Sequence, residues 1–231
     1  MSRTAWIIGA STGIGAALAI ALEKRNYKVV RSSRSSGDIL VDVSDDNSVN
    51  NACRQYQEHY GDFDLVVLMA GYWKRMSAQE FNLETFKAHN NTNTVGMARC
   101  VAEVLPKMIA RNSGTLVGVS SVAGFRGLPG SSGYGPSKAA QLNFLESLRA
   151  DLVNTNVQVL SVAPGFVKTP MTDVNTFNMP FIINADRAAK EIANGIEKGK
   201  PEIIFPKRMA FAMKIARIVP QRIWPKLFRK G

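Results

Sequence analysis

The fold class this sequence predicts is α/β: one domain on a doubly wound parallel sheet of about seven strands, with helices on both faces. Three observations point to it. Short apolar runs alternate with longer helical patterns along the chain. The segment Asp64–Met69 is apolar beyond its first residue, as a strand covered on both faces must be. A glycine-rich turn, Gly9–Gly15, joins the first strand to the first helix. With 231 residues, 45% hydrophobic and 20% charged, the chain can bury a full core in one unit.

Ala5–Gly9 is the first strand, and Ala16–Leu22, rich in small residues, reads as a closely packed helix. Tyr27–Arg31 and Ile39–Val41 follow as strands. Ser44, Asp45 and Asp46 cap a polar helix over Asn47–Tyr60. After Asp64–Met69 come a helical region over Ala78–His89 and a longer helix from Asn91 to Arg111. Thr115–Ser120 is the fifth strand, Pro136–Asn154 a helix and Val157–Ala163 the sixth strand. Asp186–Lys198 then reads as a helix and Glu202–Phe205 as the last strand.

The net charge of +11 suggests nucleic acid until it is located. Residues 207–231 hold eight Lys and Arg and no acid, which leaves +3 for the body. One short basic tail without a recognised module makes nucleic acid an unlikely partner. No apolar run reaches the length of a membrane span, and Met1–Thr4 leads straight into a strand rather than a secretory leader. Cys53 and Cys100 lack metal-type spacing and read as reduced thiols. A cytoplasmic location is the expectation, with no metal.

The chemistry centres on Tyr134-Gly135-Pro136-Ser137-Lys138. Pro136 suits the first turn of a helix, and Tyr134 and Lys138, four apart, then share a face. A cation there favours the phenolate and should lower the tyrosine pKa from about 10. Such a phenol can exchange a proton with an alcohol or ketone near neutral pH. Alone, the pair could equally be a surface i,i+4 contact. The turn Gly9-Ala10-Ser11-Thr12-Gly13-Ile14-Gly15 supplies context, because glycines there let the backbone approach a pyrophosphate at a helix N-terminus.

On these motifs the chain resembles the short-chain dehydrogenase/reductase family from about Ala5 to Met171. Gly9, Gly13 and Gly15 resemble its cofactor loop, and Ala70-Gly71 the end of its motif after the fourth strand. Asn93 falls at its catalytic asparagine, and Ser121, thirteen residues before Tyr134, at its catalytic serine. Pro164-Gly165, followed by Val167 and Thr169, matches its nicotinamide-side motif. The resemblance implies a Rossmann-like catalytic domain over 1–206 and a carbonyl or alcohol as small-molecule substrate. A homo-oligomer, dimer or tetramer, is also expected.

Tyr134 would then be general acid in reduction and base in oxidation. Lys138 would tune it and hold the nicotinamide ribose, and Ser121 would donate to the substrate oxygen. Asn93 would position a water linking Lys138 to solvent. Ser120 competes for the serine role, with the spacing favouring Ser121. The alternative is a catalytically idle nucleotide-binding regulator or scaffold on the same fold.

Cofactor choice is read at the end of strand two. An acid there would suit NAD(H), but the chain has Arg31-Ser32-Ser33-Arg34 and no acid before Asp38. Arg34 can pair with a 2′-phosphate, Ser33 and Ser11 can add hydrogen bonds, and NADP(H) is favoured with NAD(H) as second choice. Asp42-Val43 resembles the pair that contacts the adenine. Two departures from the family are Ile8, where many members have Thr, and Leu68-Met69 in place of paired asparagines; they question local packing more than chemistry.

A short loop between Met171 and Asp186 covers the substrate side, with Phe177, Met179 and Phe181 as a candidate apolar wall. Phe125, Leu128 and Pro129 could extend it, and Tyr72 or Trp73 could stack on substrate. The tail over 207–231 contains an amphipathic helix, Met209–Val219, ended by Pro220, and then a second basic-apolar run to Lys230. Its apolar residues would pack on the body or a second subunit, or else meet an anionic membrane surface.

Overall fold

The computed structural model describes residues 3–228. The elements are β1 (Thr4–Ile8), α1 (Gly13–Glu23), β2 (Lys28–Ser33), β3 (Ile39–Leu40), α2 (Asp46–Tyr60), β4 (Leu65–Leu68) and α3 (Leu83–His89). Then come α4 (Gly96–Ala110), β5 (Gly114–Val119), α5 (Tyr134–Asp151), β6 (Val157–Pro164), β7 (Val167–Lys168) and α6 (Pro170–Asp173). β8 (Ile183–Asn184), α7 (Ala185–Glu197), β9 (Glu202–Phe205) and α8 (Lys207–Ile218) complete the list.

Seven strands form one parallel sheet, as expected, and their order is β3-β2-β1-β4-β5-β6-β9. The chain runs outward from β1 through β2 to β3, then crosses back to β4 on the other side of β1. That reversal opens a crevice at the carboxyl ends of β1 and β4, where open α/β sheets bind ligands. Alternate residues of each strand enter opposite cores. Trp6 and Ile8 of β1 join Val66 and Leu68 of β4 under α2, α4 and α5. Ala5, Ile7, Leu65 and Val67 meet α1 and α7 on the other face.

Ile8 and Leu68, the two apolar departures, are 1% and 4% exposed, so both are absorbed as core. Trp6 stacks on Tyr56 at 4.8 Å and satisfies its indole N–H on the Ser32 hydroxyl at 2.8 Å. Cys53 and Cys100 are free and buried, and burial pushes both thiols up to about 12, which makes them unreactive.

Several boundaries differ from expectation for local reasons. α2 is capped by Asp45, whose carboxylate accepts from Ser48 N at 2.6 Å. The Ala78–His89 region starts its helix only at Leu83, because Asn82 caps it by accepting from Thr85 N at 2.8 Å. The long helix expected from Asn91 opens instead with a π-type segment over Asn90–Val95. The loop after Met171 is tethered by a two-stranded pair of β7 with β8.

The tail helix α8 packs on the body through Met209, Met213 and Ala216, which join Val122 and Ala163 in a third cluster. The Arg126 guanidinium donates to the Val219 carbonyl at 2.9 Å, and the Trp224 indole donates to Gly127 O at 2.7 Å. Arg229 and Lys230 of the tail lie outside the described residues. Among the described residues no helix is long and apolar enough to cross a membrane.

Candidate active site

A cleft of about 380 Å³ lies over the β1/β4 crevice and is of small-molecule size. Its floor is the first turn. Gly9 and Gly13 take φ of +104° and +58°, open to glycine without strain. A Cβ on Gly15 would fall 2.1 Å from the Gly9 carbonyl oxygen, and one on Gly9 would fall 2.6 Å from Ala70 N. Backbone thus meets backbone at the N-terminus of α1, with Ser11, Thr12 and Ile14 on the rim. This cradle suits an anionic phosphate.

At the far end of the cleft, Ser33, Arg34, Asp42 and Val43 gather from the ends of β2 and β3. Arg34 is exposed. Ser33 is less free than its sequence position suggests: its hydroxyl donates to Ser36 O at 2.6 Å and accepts from Ser36 N at 3.0 Å. The Ser44 hydroxyl and N–H, donating to Asp42, hold that carboxyl below its ordinary value, with Arg34 adding to the effect. Asp38, the nearest acid after β2, accepts from Arg31 N at 2.8 Å and does not line the cleft.

The catalytic candidates occupy the middle. α5 begins at Tyr134, two residues earlier than expected, and Pro136 sits in its first turn. The cleft is lined there by Ser121, Tyr134 and Lys138, with Ala70 and Gly71 after β4 and Pro164, Gly165, Val167 and Thr169 after β6. Ser121 caps a short helical turn by accepting from Ala123 N at 3.1 Å. Ser120 is 4% exposed and spends its hydroxyl on the Lys138 carbonyl at 2.7 Å.

Asn93 does not line the cleft but lies fully buried behind it, in the π-type segment. Its side chain accepts from Tyr72 N at 2.7 Å and donates to Ser137 Oγ at 2.9 Å. π-type turns that re-aim one side chain recur at functional sites. Sequence reasoning missed Gln141. Its Oε1 accepts from Lys138 Nζ at 2.8 Å and its Nε2 donates to the Asn93 carbonyl at 2.6 Å. An ammonium on one side and a carbonyl on the other fix which way the amide points. Gln141 thus ties Lys138 to the segment that carries Asn93. The only hint in the sequence was a polar residue on the buried face of α5, one turn after Lys138.

The expected lowering of the Tyr134 pKa by Lys138 is overturned. Burial pushes the Tyr134 phenol up to about 12, and the Ser121 hydroxyl pulls the other way. Lys138 is itself pushed down by burial to about 7, so it is a weak cation at neutral pH. Its ammonium faces the Tyr134 ring, 5.5 Å from the centroid, and is bonded to Gln141 and to Val119 O at 3.2 Å.

Trp73 packs edge-on against Tyr134 at 4.9 Å and donates to the Asn175 side chain at 2.9 Å, tying the substrate loop to the site. His89, fully buried, bonds Thr85 O through Nδ1 at 2.8 Å and accepts Lys74 N on Nε2 at 3.2 Å. Those partners select one neutral tautomer, and burial lowers its pKa, so His89 is architectural. Phe177 packs edge-on against Phe166, and Phe125 lies under the Arg217 guanidinium. Among the described residues no group of His, Cys, Asp or Glu is gathered for a metal.

A glycine turn at the sheet's switch point, with Ser121, Tyr134 and Lys138 lining the same cleft, is the architecture of a dinucleotide-binding α/β class. The chain belongs to the short-chain dehydrogenase/reductase family: the profile described as short chain dehydrogenase matches residues 3–178.

It is 35% identical over 245 residues to an uncharacterized oxidoreductase of Myxococcus xanthus (strain DK1622), across 99% of this chain and 97% of that protein. It is 30% identical to the 3-oxoacyl-acyl-carrier-protein reductase FabG of Thermotoga maritima, across 72% of this chain and 75% of that protein. A solved short chain dehydrogenase from Burkholderia cenocepacia J2315, in complex with NADP, shares 25% identity and superposes with a TM-score of 0.84. That match covers 99% of this chain and 98% of the other.

Proposed function

We propose that this chain interconverts a carbonyl and an alcohol by hydride transfer with NADP(H), using Ser121, Tyr134, Lys138 and Asn93. The observation that carries the reading is the convergence of Ser121, Tyr134 and Lys138 on the cleft floored by the Gly9–Gly15 turn. The Burkholderia relative, solved with NADP, is consistent with it. When bound, the nicotinamide supplies or accepts the hydride.

The chain's own groups do the rest. The α1 N-terminus and its glycines would hold the pyrophosphate, Arg34 the 2′-phosphate, Asp42 and Val43 the adenine, and Pro164, Gly165, Val167 and Thr169 the nicotinamide side. Ser121 would donate to the substrate oxygen, its neighbour Ser120 being committed to Lys138 O. Tyr134 would give that oxygen its proton in reduction and take it back in oxidation. Burial keeps the phenol protonated at neutral pH, which is the state reduction needs. Asn93 and Gln141 hold Lys138 beneath the Tyr134 ring.

The exposed Arg34, with Asp38 turned away, favours NADP(H) over NAD(H). The direct test is NADPH consumption over a panel of aldehydes, ketones, quinones and oxoacyl compounds, alongside Tyr134→Phe. Turnover should vanish in the variant while cofactor binding persists. Cofactor binding with no turnover of any carbonyl by the native chain would establish the idle scaffold instead.

A further inference from the structure

Helix α8 carries two apolar stripes. Met209, Met213 and Ala216 form the inner one and are buried on the body. Phe211, Ile215 and Ile218 repeat the same spacing two residues on, which rotates them by about 200° to the opposite side. They are 70%, 45% and 80% exposed. A helix needs one stripe to hold to its own domain, and the second has no partner among the described residues. Beyond the helix, Ile223, Leu227 and Phe228 add further exposed apolar surface.

The stripe is edged by cations. Lys207, Arg208 and Lys214 are all exposed, and no acid follows Glu202 in the sequence. Among the described residues the ion pair there is Lys214 with Glu202 at 3.7 Å, which is well exposed on both sides and holds the lysine only weakly. The start of α8 adjoins the cleft: a Cβ on Gly165, which lines it, would meet the Met209 side chain at 3.0 Å. Arg208 lies over the Phe181 ring at 5.9 Å, and Phe181 and Ile182 are 47% and 42% exposed. Met171, which begins the same segment, lines the cleft itself.

We propose that this face seats on an anionic lipid bilayer and lays the mouth of the cleft against it. The substrate is then a carbonyl or alcohol that partitions into the bilayer. Apolar side chains flanked by Lys and Arg fit the boundary between acyl chains and anionic headgroups. A second copy of the chain fits poorly, because a two-fold contact through this stripe would set Lys207, Arg208 and Lys214 against their own counterparts, with Glu202, already beside Lys214, too little to offset them. A homo-oligomer would use another face.

The docking needs no turnover; the substrate class rests on the oxidoreductase reading above. The test is co-sedimentation of the full chain with phosphatidylcholine vesicles, with and without phosphatidylserine, at low and high salt. The native chain should bind only the anionic vesicles, and less at high salt. The solvent-facing triple variant Phe211→Ser, Ile215→Ser, Ile218→Ser should lose more than about ten-fold in binding while keeping its melting temperature and cofactor affinity. Lys207→Gln, Arg208→Gln, Lys214→Gln should abolish the preference for anionic lipid. No vesicle binding by the native chain would overturn the proposal, as would undiminished binding by the serine variant or its conversion of a dimer to a monomer.

With a long-chain aldehyde held in vesicles, the serine variant should lose turnover while a short soluble aldehyde is reduced as before. Vesicle binding without turnover of either aldehyde would leave the docking standing and remove the oxidoreductase reading, and the substrate class with it.

Discussion

Lys138 and Gln141, one turn apart on α5, are joined by a 2.8 Å hydrogen bond from the ammonium to the amide oxygen. Through its other end Gln141 holds the Asn93 carbonyl, so that α5 and the π-type segment lock the lysine between them. The bond favours the charged lysine against a burial that already holds its pKa near 7. Gln141→Leu keeps the volume and removes the acceptor. A hydrogen bond to a charged group is worth about 1.5–3 kcal/mol, so Lys138 should titrate about one to two units lower. Gln141→Glu should move it upward instead. The pH–rate profile reads both shifts, and superimposable profiles for all three proteins would show that Gln141 merely fills space.

What the sequence left legible divides along physical lines. β1 and β4 were readable because parallel strands buried on both faces must be continuously apolar. The pieces of the cleft were readable because glycines mark a tight turn after the first strand and because the spacing of Ser121, Tyr134 and Lys138 resembles that of the family. Gln141 was not, since its role exists only once α5 and the segment at Asn93 are side by side. The Tyr134 pKa was misjudged because spacing reveals a neighbouring lysine but not the burial that raises the phenol and weakens the lysine's charge. The pairing of β7 with β8 was hidden because two-residue strands carry no periodicity.

Lys138 should also leave a mark on stability. Its folded pKa of about 7 lies below the ordinary 10.5, so the unfolded chain binds more protons between those values. Stability therefore rises with pH across that window, and the full penalty of burying the ammonium is present below pH 7. Lys138→Met removes the penalty. Its melting temperature should exceed that of the native chain by a few degrees at pH 7 and below, with the gap closing toward pH 10.5. Thermal melts of the two proteins across pH, taken as a difference, cancel the other lysines. A gap that does not narrow would mean that Lys138 is charged throughout.

Gly15→Ala is a substitution whose sign is informative. Alanine in a helix is ordinarily favoured over glycine by about 1 kcal/mol. Here its Cβ would meet the Gly9 carbonyl oxygen at 2.1 Å, and neither backbone can yield without opening the turn. The variant should lose stability and at least about ten-fold in NADPH affinity, because the first turn of α1 is displaced from the phosphates. Calorimetric titration alongside a melt checks both, and unchanged affinity would mean that the pyrophosphate is held elsewhere.

Arg34 should decide between the two nicotinamide cofactors. It is exposed on the rim beside Asp42, whose carboxyl is held down first by Ser44 and then by the Arg34 charge. A guanidinium there can grip a 2′-phosphate, whereas a carboxylate would repel it and accept from the free ribose hydroxyls. Arg34→Asp should weaken NADPH by about 10- to 100-fold, the worth of charge-assisted hydrogen bonds, and strengthen NADH. Fluorescence titration of each cofactor against both proteins measures the switch. Because the loss is electrostatic, NADPH binding to the native chain should weaken with salt more steeply than binding to the variant. Equal salt slopes would place the 2′-phosphate away from Arg34.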